Sequence, residues 1–486
     1  MVRRLGILLF LYSGFFNLQS QFYALSNKPQ LSQQKSIYHM PIGESDYGIY
    51  TLNYANEYLQ GGFSIERYDH ELGFIDDRFI KVPRKNFILH VFVADSSIYW
   101  VSVLRKRREG LYLILNRLSY TLEGNIETVV LPKLEIKELN SDEIIVRNSN
   151  KHQLFNVCWM KKNGSKTEIH NFSFDNNGQI NSTQKINIDY PIQYVSFSDF
   201  SIGDSKESCA LLTVKKPREL FSLGSRQEFP YIIKFNSDKV SIFEPVSEYN
   251  QQNAVITFLP NQRSWIVSGT YGDDKKESEG IYQIIVPIYD SVFTFWETPF
   301  SEIQAKTLDG NFKSKRNKSP KNYTSRRIIS MDDSTNILLL ERYIELRQLE
   351  TYYINGIPQT ATKILFNFNE IGIAVLNNIG GIDTVIRINK EQVASPNTSY
   401  LLGYGSFVCE KGIHIVYNAD ISKSNEVIDI VIRPDFEIEK HVLVNSDNFY
   451  NVIIPFDGKE TDYCTFTVPL LRDKQWFWMQ VYNPND

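Results

Sequence analysis

The stretch IYWVSVL at residues 98–104, followed by SYTLEGNI at residues 119–126, shows the unit from which the chain is built. A run of branched and aromatic residues, which suits a buried strand, precedes an aromatic-rich segment that breaks at a polar turn. The apolar run recurs eight times, as IYTLNY (49–54), IYWVSVL (98–104), LFNVCW (154–159), CALLTV (209–214), WIVSGT (265–270), ILLLER (337–342), IAVLNN (373–378) and IHIVYN (413–418). A repeat of about 50 residues is typical of propeller blades or of a solenoid.

This repeat predicts an all-β fold, a single β-propeller of eight four-stranded antiparallel sheets. Seven sheets are the near alternative, because the units between residues 363 and 400 are short, and an open solenoid or stacked sandwiches remain further alternatives. We expect the N- and C-terminal segments to pair and close the ring, because closure removes exposed sheet edges. The hairpins of the first two strands are predicted at residues 87–104, 144–160, 192–214, 254–269, 327–343, 363–377, 400–417 and 451–468.

The first 24 residues are predicted to be a secretory signal rather than part of the fold. Arg3 and Arg4 precede an apolar stretch at residues 5–16, and cleavage is expected after Ser20 or Ala24. A short retained anchor is the alternative. The propeller domain then covers residues 25–486, with a polybasic insertion at about residues 300–327. No later stretch has the roughly 18 apolar residues of a membrane helix, so we expect a secreted or periplasmic protein, or one of the cell envelope, without a transmembrane segment.

Composition excludes several classes of protein. Lys and Arg number 52 against 56 Asp and Glu, a formal net charge of −4, which argues against a nucleic-acid binder. The four cysteines are too few for a disulfide scaffold and match no zinc pattern. They are expected either as buried thiols or as the pairs Cys158–Cys209 and Cys409–Cys464.

Catalytic motifs are absent from the sequence. It contains no nucleophile elbow, no HExxH, no phosphate-binding loop and no CxxC, so we expect no cofactor and no metal site, and catalytic residues stay unassigned. His90, in FILHVFV, either faces the central channel or is a satisfied core histidine. The adjacent carboxylates Asp76–Asp77, Asp273–Asp274 and Asp332–Asp333 are either solvated turns or the acid and base of a glycan-cleaving site.

Basic residues concentrate in the loops predicted at one face of the ring. In a four-stranded meander, the loops after the second and fourth strands emerge on the same face. These loops contain Arg105, Lys106, Arg107, Arg108, Lys161, Lys162, Lys166, Lys215, Lys216, Arg218 and Arg226, and the connection at 300–327 adds Lys306, Lys313, Lys315, Arg316, Lys318, Lys321, Arg326 and Arg327. They predict a positive sector that attracts an anionic ligand, with ordinary solvated loops as the alternative.

The chain resembles the uncharacterised secreted β-propeller-like repeat proteins of the Bacteroidota type, in its repeat period and in runs such as SFDNNGQI (173–180) and YIIKFNSDKVSI (231–242). Two functions follow as hypotheses. The first is an exported, non-enzymatic propeller that binds a protein partner or an anionic glycan through its loop face. The second is a carbohydrate-active enzyme, a glycoside hydrolase or lyase, with carboxylates at the mouth of the channel.

Overall fold

The structure is a computed structural model, and its strands account for most of the chain. It describes residues 23–26, 38–54, 61–83, 86–94, 97–106, 110–134, 143–149, 154–204, 206–216, 227–236, 239–272, 277–290, 292–310, 319–331, 335–354, 357–419, 421, 426–444, 451–462, 464–473 and 475–482.

The described strands form eight antiparallel sheets, each numbered here by its order in the chain. Sheet 1 contains β2 (Tyr38–Ser45), β3 (Gly48–Tyr54), β4 (Phe63–Tyr68) and β5 (Phe74–Ile80). Sheet 2 contains β6 (Asn86–Ala94), β7 (Ser97–Lys106), β8 (Gly110–Ser119) and β9 (Glu127–Leu134). Sheet 3 contains β10 (Ile144–Asn148), β11 (Leu154–Asn163), β12 (Lys166–Asp175) and β13 (Ile180–Ile188). Sheet 4 contains β14 (Val195–Ile202), β15 (Ser208–Lys215), β16 (Glu228–Phe235) and β17 (Val240–Phe243).

The second half of the chain continues the pattern with additional short strands. Sheet 5 contains β18 (Asn250–Leu259), β19 (Ser264–Gly272), β20 (Gly280–Pro287) and β21 (Thr294–Pro299). Sheet 6 contains β22 (Tyr323–Ser330), β23 (Thr335–Ile354), β24 (Ile357–Asn377), β25 (Ile382–Ile388) and β26 (Gln392–Ala394). Sheet 7 contains β27 (Gly405–Cys409), β28 (Gly412–Asn418), β29 (Val427–Ile432) and β30 (Ile438–Val444). Sheet 8 contains β31 (Asn451–Ile453), β32 (Lys459–Asp462), β33 (Thr465–Arg472), β34 (Gln475–Tyr482) and β1 (Tyr23–Leu25).

These sheets are the blades of an eight-bladed β-propeller, as the repeat predicts. The first strands of neighbouring sheets lie against each other around a central channel, and β2 of sheet 1 packs against β32 of sheet 8. On sheet 6, Arg327 Nη1 donates to the Ser406 carbonyl of sheet 7 at 2.6 Å. On sheet 8, Lys459 Nζ donates to the Ile42 carbonyl of sheet 1 at 2.7 Å.

The core consists of apolar layers between neighbouring sheets. Strands in the middle of a sheet have both faces covered, so they read as continuous apolar runs; β19, for example, is buried along its whole length. Outer strands alternate, as in β5, where exposed and half-buried residues follow each other. The layer between sheets 8 and 1 contains Ile49, Tyr68, Leu72 and Trp478, so the first and last sheets also pack together.

The N-terminal strand belongs to the last sheet. β1 pairs with β34 in the register Tyr23↔Val481 and Leu25↔Met479. Beyond the strand, Ser26 N–H donates to the Trp478 carbonyl at 2.9 Å, and Trp478 N–H donates to Ser26 Oγ at 3.0 Å. The fourth strand of sheet 8 therefore comes from the other end of the chain.

One predicted hairpin is wrong. Residues 363–377 lie within the single strand β24, which pairs with β23 from Thr335↔Asn377 to Ile354↔Ile357. This long hairpin projects beyond the rest of sheet 6. The missing hairpin is β2–β3 of sheet 1, where a register shift falls between Pro41 and Gly43.

The polybasic connection between sheets 5 and 6 begins with a helix. α1 (Glu302–Asp309) is capped by Ser301, whose side chain accepts from Gln304 N–H, and it ends at Gly310 in the left-handed conformation. Three 3₁₀ turns are also described, at Ile192–Tyr194, Pro396–Leu401 and Pro455–Asp457. No helix in the described part of the chain is long and apolar enough to cross a membrane.

The cysteines are buried thiols. Cys158, Cys209, Cys409 and Cys464 lie in the apolar layers and form no disulfide. Burial raises the pKa of Cys158 and of Cys209. The two disulfide pairs considered from the sequence, Cys158–Cys209 and Cys409–Cys464, are therefore not formed.

Candidate ligand-binding cleft at the channel mouth

A cleft of about 780 Å³ opens on the face where the loops after the second and fourth strands emerge, and we call it the mouth cleft. Sheets 5 to 8 and their connections contribute its walls. It is lined by Asn253, Thr324, Arg326, Tyr343, Phe366, Phe368, Pro396, Asn397, Ser399, Tyr400, Ile454 and Asp457.

Aromatic side chains form much of the wall. Tyr343 on β23 and Phe368 on β24 are directly opposite each other in the ladder, with ring centroids 5.0 Å apart, and Phe366 lies on the same face of the hairpin. Tyr400, in the turn at Pro396–Leu401, is 39% exposed. The base of the long β23–β24 hairpin thus supplies one side of the cleft.

Arg326 is held rigidly in the wall by a buried ion-pair cluster. Its Nε donates to Glu341 Oε2 at 2.9 Å, and its Nη2 lies 2.7 Å from the same oxygen. Lys390 Nζ lies 2.5 Å from Glu341 Oε1, and neither of these two side chains is exposed. Burial lowers the pKa of Lys390, while Glu341 opposes that change. Two cations therefore share one buried carboxylate, and the cluster carries a net positive charge.

The guanidinium of Arg326 also packs between two rings. It lies 5.4 Å from the centroid of Phe368 and 5.0 Å from that of Phe456, in the range of cation–π contacts. Phe456 is placed by Gly403, whose φ is +85° and where a Cβ would be 2.3 Å from the Phe456 ring. Only glycine tolerates both that backbone conformation and that approach.

Asp457 is the acidic side chain of the mouth cleft in the described part of the chain. It ends the turn at Pro455–Asp457, just before β32. Burial raises its pKa to about 6. The carboxyl group therefore changes charge near neutral pH.

A second cavity of about 510 Å³ lies deeper, towards the centre of the ring, and we call it the channel pocket. Arg326 and the Phe456 turn border both cavities. Its lining includes Arg327, whose Nη2 lies 3.0 Å from Glu460 Oε2. It also includes Lys459, whose pKa burial lowers to about 8.

Of the basic residues predicted from the sequence, Arg326 lines both cavities and Arg327 lines the channel pocket, whereas those of the loops in sheets 2 to 4 lie in a different part of the ring. Arg105, Lys106, Lys161, Lys162, Lys215 and Lys216 are at or next to the ends of second strands in sheets 2 to 4. Arg107, Arg108, Arg218, Lys313, Lys315, Arg316 and Lys318 lie outside the described residues. The structure thus brings none of the six described residues of sheets 2 to 4 into the mouth cleft.

Several of these cations have partners. Lys161 and Lys185 each lie 2.8 Å from Glu168; burial alone would raise the pKa of this carboxyl, but their hydrogen bonds lower it to about 2. Lys215 lies 3.5 Å from Glu228, and Lys216 lies over the ring of Phe229. Arg105 and Lys162 are exposed.

The other predicted candidates do not form a site. His90 Nε2 donates a hydrogen bond to Asn148 Oδ1 at 2.9 Å, and burial lowers the pKa of His90 to about 4, so it is neutral at pH 7. Asp76 binds Arg67 on the outer part of sheet 1. Asp273, Asp274, Asp332 and Asp333 lie outside the described residues. Within the described part of the chain, no group of three or more His, Cys, Asp or Glu side chains could hold a metal ion.

Comparisons with known proteins were made for the whole chain. No protein-family model matches the sequence, and no curated protein matches it. A mutant of the Synechocystis apocarotenoid oxygenase aligns over 71% of this chain and 70% of its own, at 8% identity and a TM-score of 0.31. A prolyl endopeptidase structure aligns over 93% of this chain and 53% of its own, at 7% identity and a TM-score of 0.39. TM-scores this low carry no argument, and the resemblance to Bacteroidota repeat proteins stays a prediction.

Proposed function

We propose that the protein is an exported, non-enzymatic binding module that holds a saccharide chain in the mouth cleft. The observation that carries this proposal is the combination of a concave site, aromatic walls and a few fixed polar groups. Sugar rings present apolar C–H faces that pack on aromatic rings, and hydroxyl groups that need polar partners. Of the two partners predicted from the sequence, a glycan fits this shape better than a protein surface.

Binding is favoured over cleavage because hydrolysis of a glycosidic bond uses two carboxyl groups that flank the bond. In the described part of the chain, Asp457 is the one acidic residue that lines the mouth cleft. Glu460 lies in the channel pocket, in an ion pair with Arg327. Glu341 is buried beneath the cleft wall.

One observation favours the second candidate, a carbohydrate-active enzyme. Asp457, with a pKa of about 6, is protonated often enough near neutral pH to act as a general acid. Release of new reducing ends, or of unsaturated products, from a bound polysaccharide would support this function. An Asp457→Asn variant that releases the same products would contradict it.

The test of the proposed function is calorimetric titration of the mature protein, from Gln21 onward, with oligosaccharides. Phe366→Ala removes one aromatic wall of the cleft, and we expect it to weaken binding about tenfold. Phe79→Ala is the matched control, since Phe79 is 62% exposed on the outer strand β5. Equal affinity of Phe366→Ala and the control would overturn the proposal. Isolation of a stoichiometric protein partner whose affinity is the same for both variants would also overturn it.

The basic loop residues would contribute long-range attraction to an anionic chain. We expect simultaneous replacement of Lys313, Lys315 and Arg316 by Gln to lower affinity at low salt and to matter less at high salt, because salt screens exposed charges. Unchanged affinity at low salt would remove this electrostatic contribution and leave the cleft itself as the binding site.

A further inference from the structure

The channel pocket contains more positive than negative groups. Arg326, Arg327 and Lys459 line it, together with one carboxylate, Glu460. Glu460 is paired with Arg327. Arg326 shares Glu341 with Lys390, so these three side chains carry one uncompensated positive charge. Lys459 adds another, and its one described hydrogen bond goes to the Ile42 carbonyl.

Tyr404 adds a second and independent observation. Tyr404 is one of the residues that line the channel pocket and is 6% exposed, and its buried hydroxyl has no hydrogen-bond partner among the described residues. Glu341, Arg326 and Arg327 all lie close enough to interact electrostatically with this hydroxyl. A buried hydroxyl without a partner costs about 1–3 kcal/mol, so such groups in native proteins call for an explanation.

We propose that the channel pocket is an anion site that holds the carboxylate of an acidic saccharide whose sugar ring lies in the mouth cleft. This inference rests on the proposed function. The Tyr404 hydroxyl donates one hydrogen bond to the carboxylate, and the ammonium of Lys459 donates another. Arg326 borders both cavities and has no described hydrogen bond from its Nη1, so it lies where the sugar and its carboxylate meet.

The charge balance favours an anion of low charge. Near the pocket, Arg326, Arg327, Lys390 and Lys459 give four positive charges, and Glu341 and Glu460 give two negative ones. The excess is two, and ionised Asp457 reduces it to one. A single carboxylate therefore neutralises the pocket at pH 7.5, whereas a dianionic phosphate would leave a net negative charge. A uronate residue, one carboxylate on one sugar ring, satisfies both cavities together.

The experiment compares acidic saccharides with uncharged forms of the same length. The probes are trigalacturonate, trimannuronate, their fully methyl-esterified forms, and inorganic phosphate and sulfate, each titrated into the mature protein at pH 7.5. We expect at least one free acid to bind about tenfold more tightly than its ester, as a hydrogen bond to a charged group implies.

Tyr404→Phe tests the assignment at the level of one atom. It removes the hydroxyl alone, and we expect it to reduce the preference for acid over ester about tenfold while the melting temperature does not fall. Tyr282→Phe is the matched control, because Tyr282 in sheet 5 also has a buried hydroxyl without a described partner and lines neither cavity. The control should keep the full preference for the acid.

The results that would contradict the anion site differ from those that would contradict the saccharide cleft. Equal binding of acid and ester, or an unchanged preference in Tyr404→Phe, overturns the anion site and leaves the proposed saccharide cleft intact. Phosphate or sulfate binding as tightly as the acids shows a site for small anions and removes the saccharide from the inference. Binding of none of the saccharides counts against both proposals.

Discussion

Asp457 occupies the boundary between the two cavities. It lines the mouth cleft, while its neighbours Phe456 and Gly458 line the channel pocket. Since burial raises its pKa to about 6, its charge changes within the range of pH that many extracellular environments cover. When ionised, it repels an anion bound next to it.

We therefore expect affinity for a uronate trimer to rise about fivefold as pH falls from 7.5 to 5, because binding favours protonated Asp457. The other groups change their charge little in this window. Arg326 and Arg327 are paired with Glu341 and Glu460. Lys459, with a pKa of about 8, gains about a quarter of a charge as pH falls from 7.5 to 5, and His90 near it, with a pKa of about 4, stays mostly neutral.

Asp457→Asn should remove most of this dependence and bind at pH 7.5 nearly as the unmodified protein does at pH 5, as titration at several pH values can measure. A variant that keeps the same slope with pH would assign the effect to another group.

Lys234 shows how a single buried cation joins two blades. It lies on β16 of sheet 4 and is 1% exposed. Its ammonium donates to the carbonyls of Pro287 and Ile288, at 2.7 and 3.3 Å, and to that of Asp290, all at the end of β20 in sheet 5. Burial lowers its pKa.

We expect Lys234→Met to reduce the free energy of unfolding by about 3 kcal/mol, because it removes a buried donor shared by three carbonyls, of which that of Ile288 keeps a second donor, Asn236 Nδ2. Urea denaturation measures the loss. Lys239→Met, at an exposed position nearby, should change it by less than about 0.5 kcal/mol. Similar values for the two variants would show that the carbonyls find other partners.

Among the elements, the hairpin of β23 and β24 departs most from the rest of the propeller. Its base carries Tyr343, Phe366 and Phe368 into the cleft. Farther out, Leu346 and Leu349 are 38% and 76% exposed, and the hairpin has no described contact with another sheet there. A two-stranded hairpin alone is marginally stable in water.

Replacing residues 346–365 by Asn-Gly should therefore leave the fold and the cleft intact. The two added residues form a tight turn between Glu345 and Phe366, which already face each other in the ladder. We expect the melting temperature to change by less than about 2 °C, since little apolar surface is lost. A loss of binding in a folded, shortened protein would instead assign the outer hairpin to the ligand site.

The sequence predicts most hairpins because each one repeats a short apolar run and a turn. It fails at β24, because a strand of 21 residues is far longer than the usual 3–10 and reads as two elements. The sequence also gives only a weak indication of strand β2, because Pro41 and Gly43 interrupt its apolar pattern at a bulge. These two errors cancel in the count, which is why eight sheets were still predicted.

The mouth cleft could not be predicted in the same way. Asn253, Tyr343 and Asp457 are distant in the sequence and meet because sheets 5, 6 and 8 share one end of the channel. A contiguous basic cluster, such as that at residues 105–108, is easily recognised in a sequence. Residues that come together from different blades share no local sequence pattern. The sequence did place Arg326 in the connection to sheet 6, though only as one of many loop cations.

At the scale of the whole molecule, β1 completes sheet 8 with a strand from the other end of the chain. Tyr23 and Leu25 pack against the layer between sheets 7 and 8, together with Met479 and Val481. Cleavage of a signal after Ser20 would keep this strand, and cleavage after Ala24 would remove two of its three residues. If the predicted signal is removed, we expect cleavage after Ser20, because that position leaves β1 whole.

A protein that begins at Ser26 should be less stable than one that begins at Gln21 by about 2 kcal/mol, because it leaves the apolar face of β34 uncovered. Urea denaturation of the two forms gives the difference. The longer form with Leu25→Asp should resemble the shorter one, because the buried charge opposes the same packing. Identical midpoints for all three would mean that β1 does not contribute to stability.

The hydrogen bonds between Ser26 and Trp478 join residues 452 positions apart. A chain that emerges from its N-terminus must therefore keep β1 unpaired until the last strand has emerged. During that interval the strand can accept β34 from a neighbouring copy as well as from its own chain, since the contacts are identical. Local concentration then decides between single rings and dimers that exchange a strand, and dilution during folding favours the single ring.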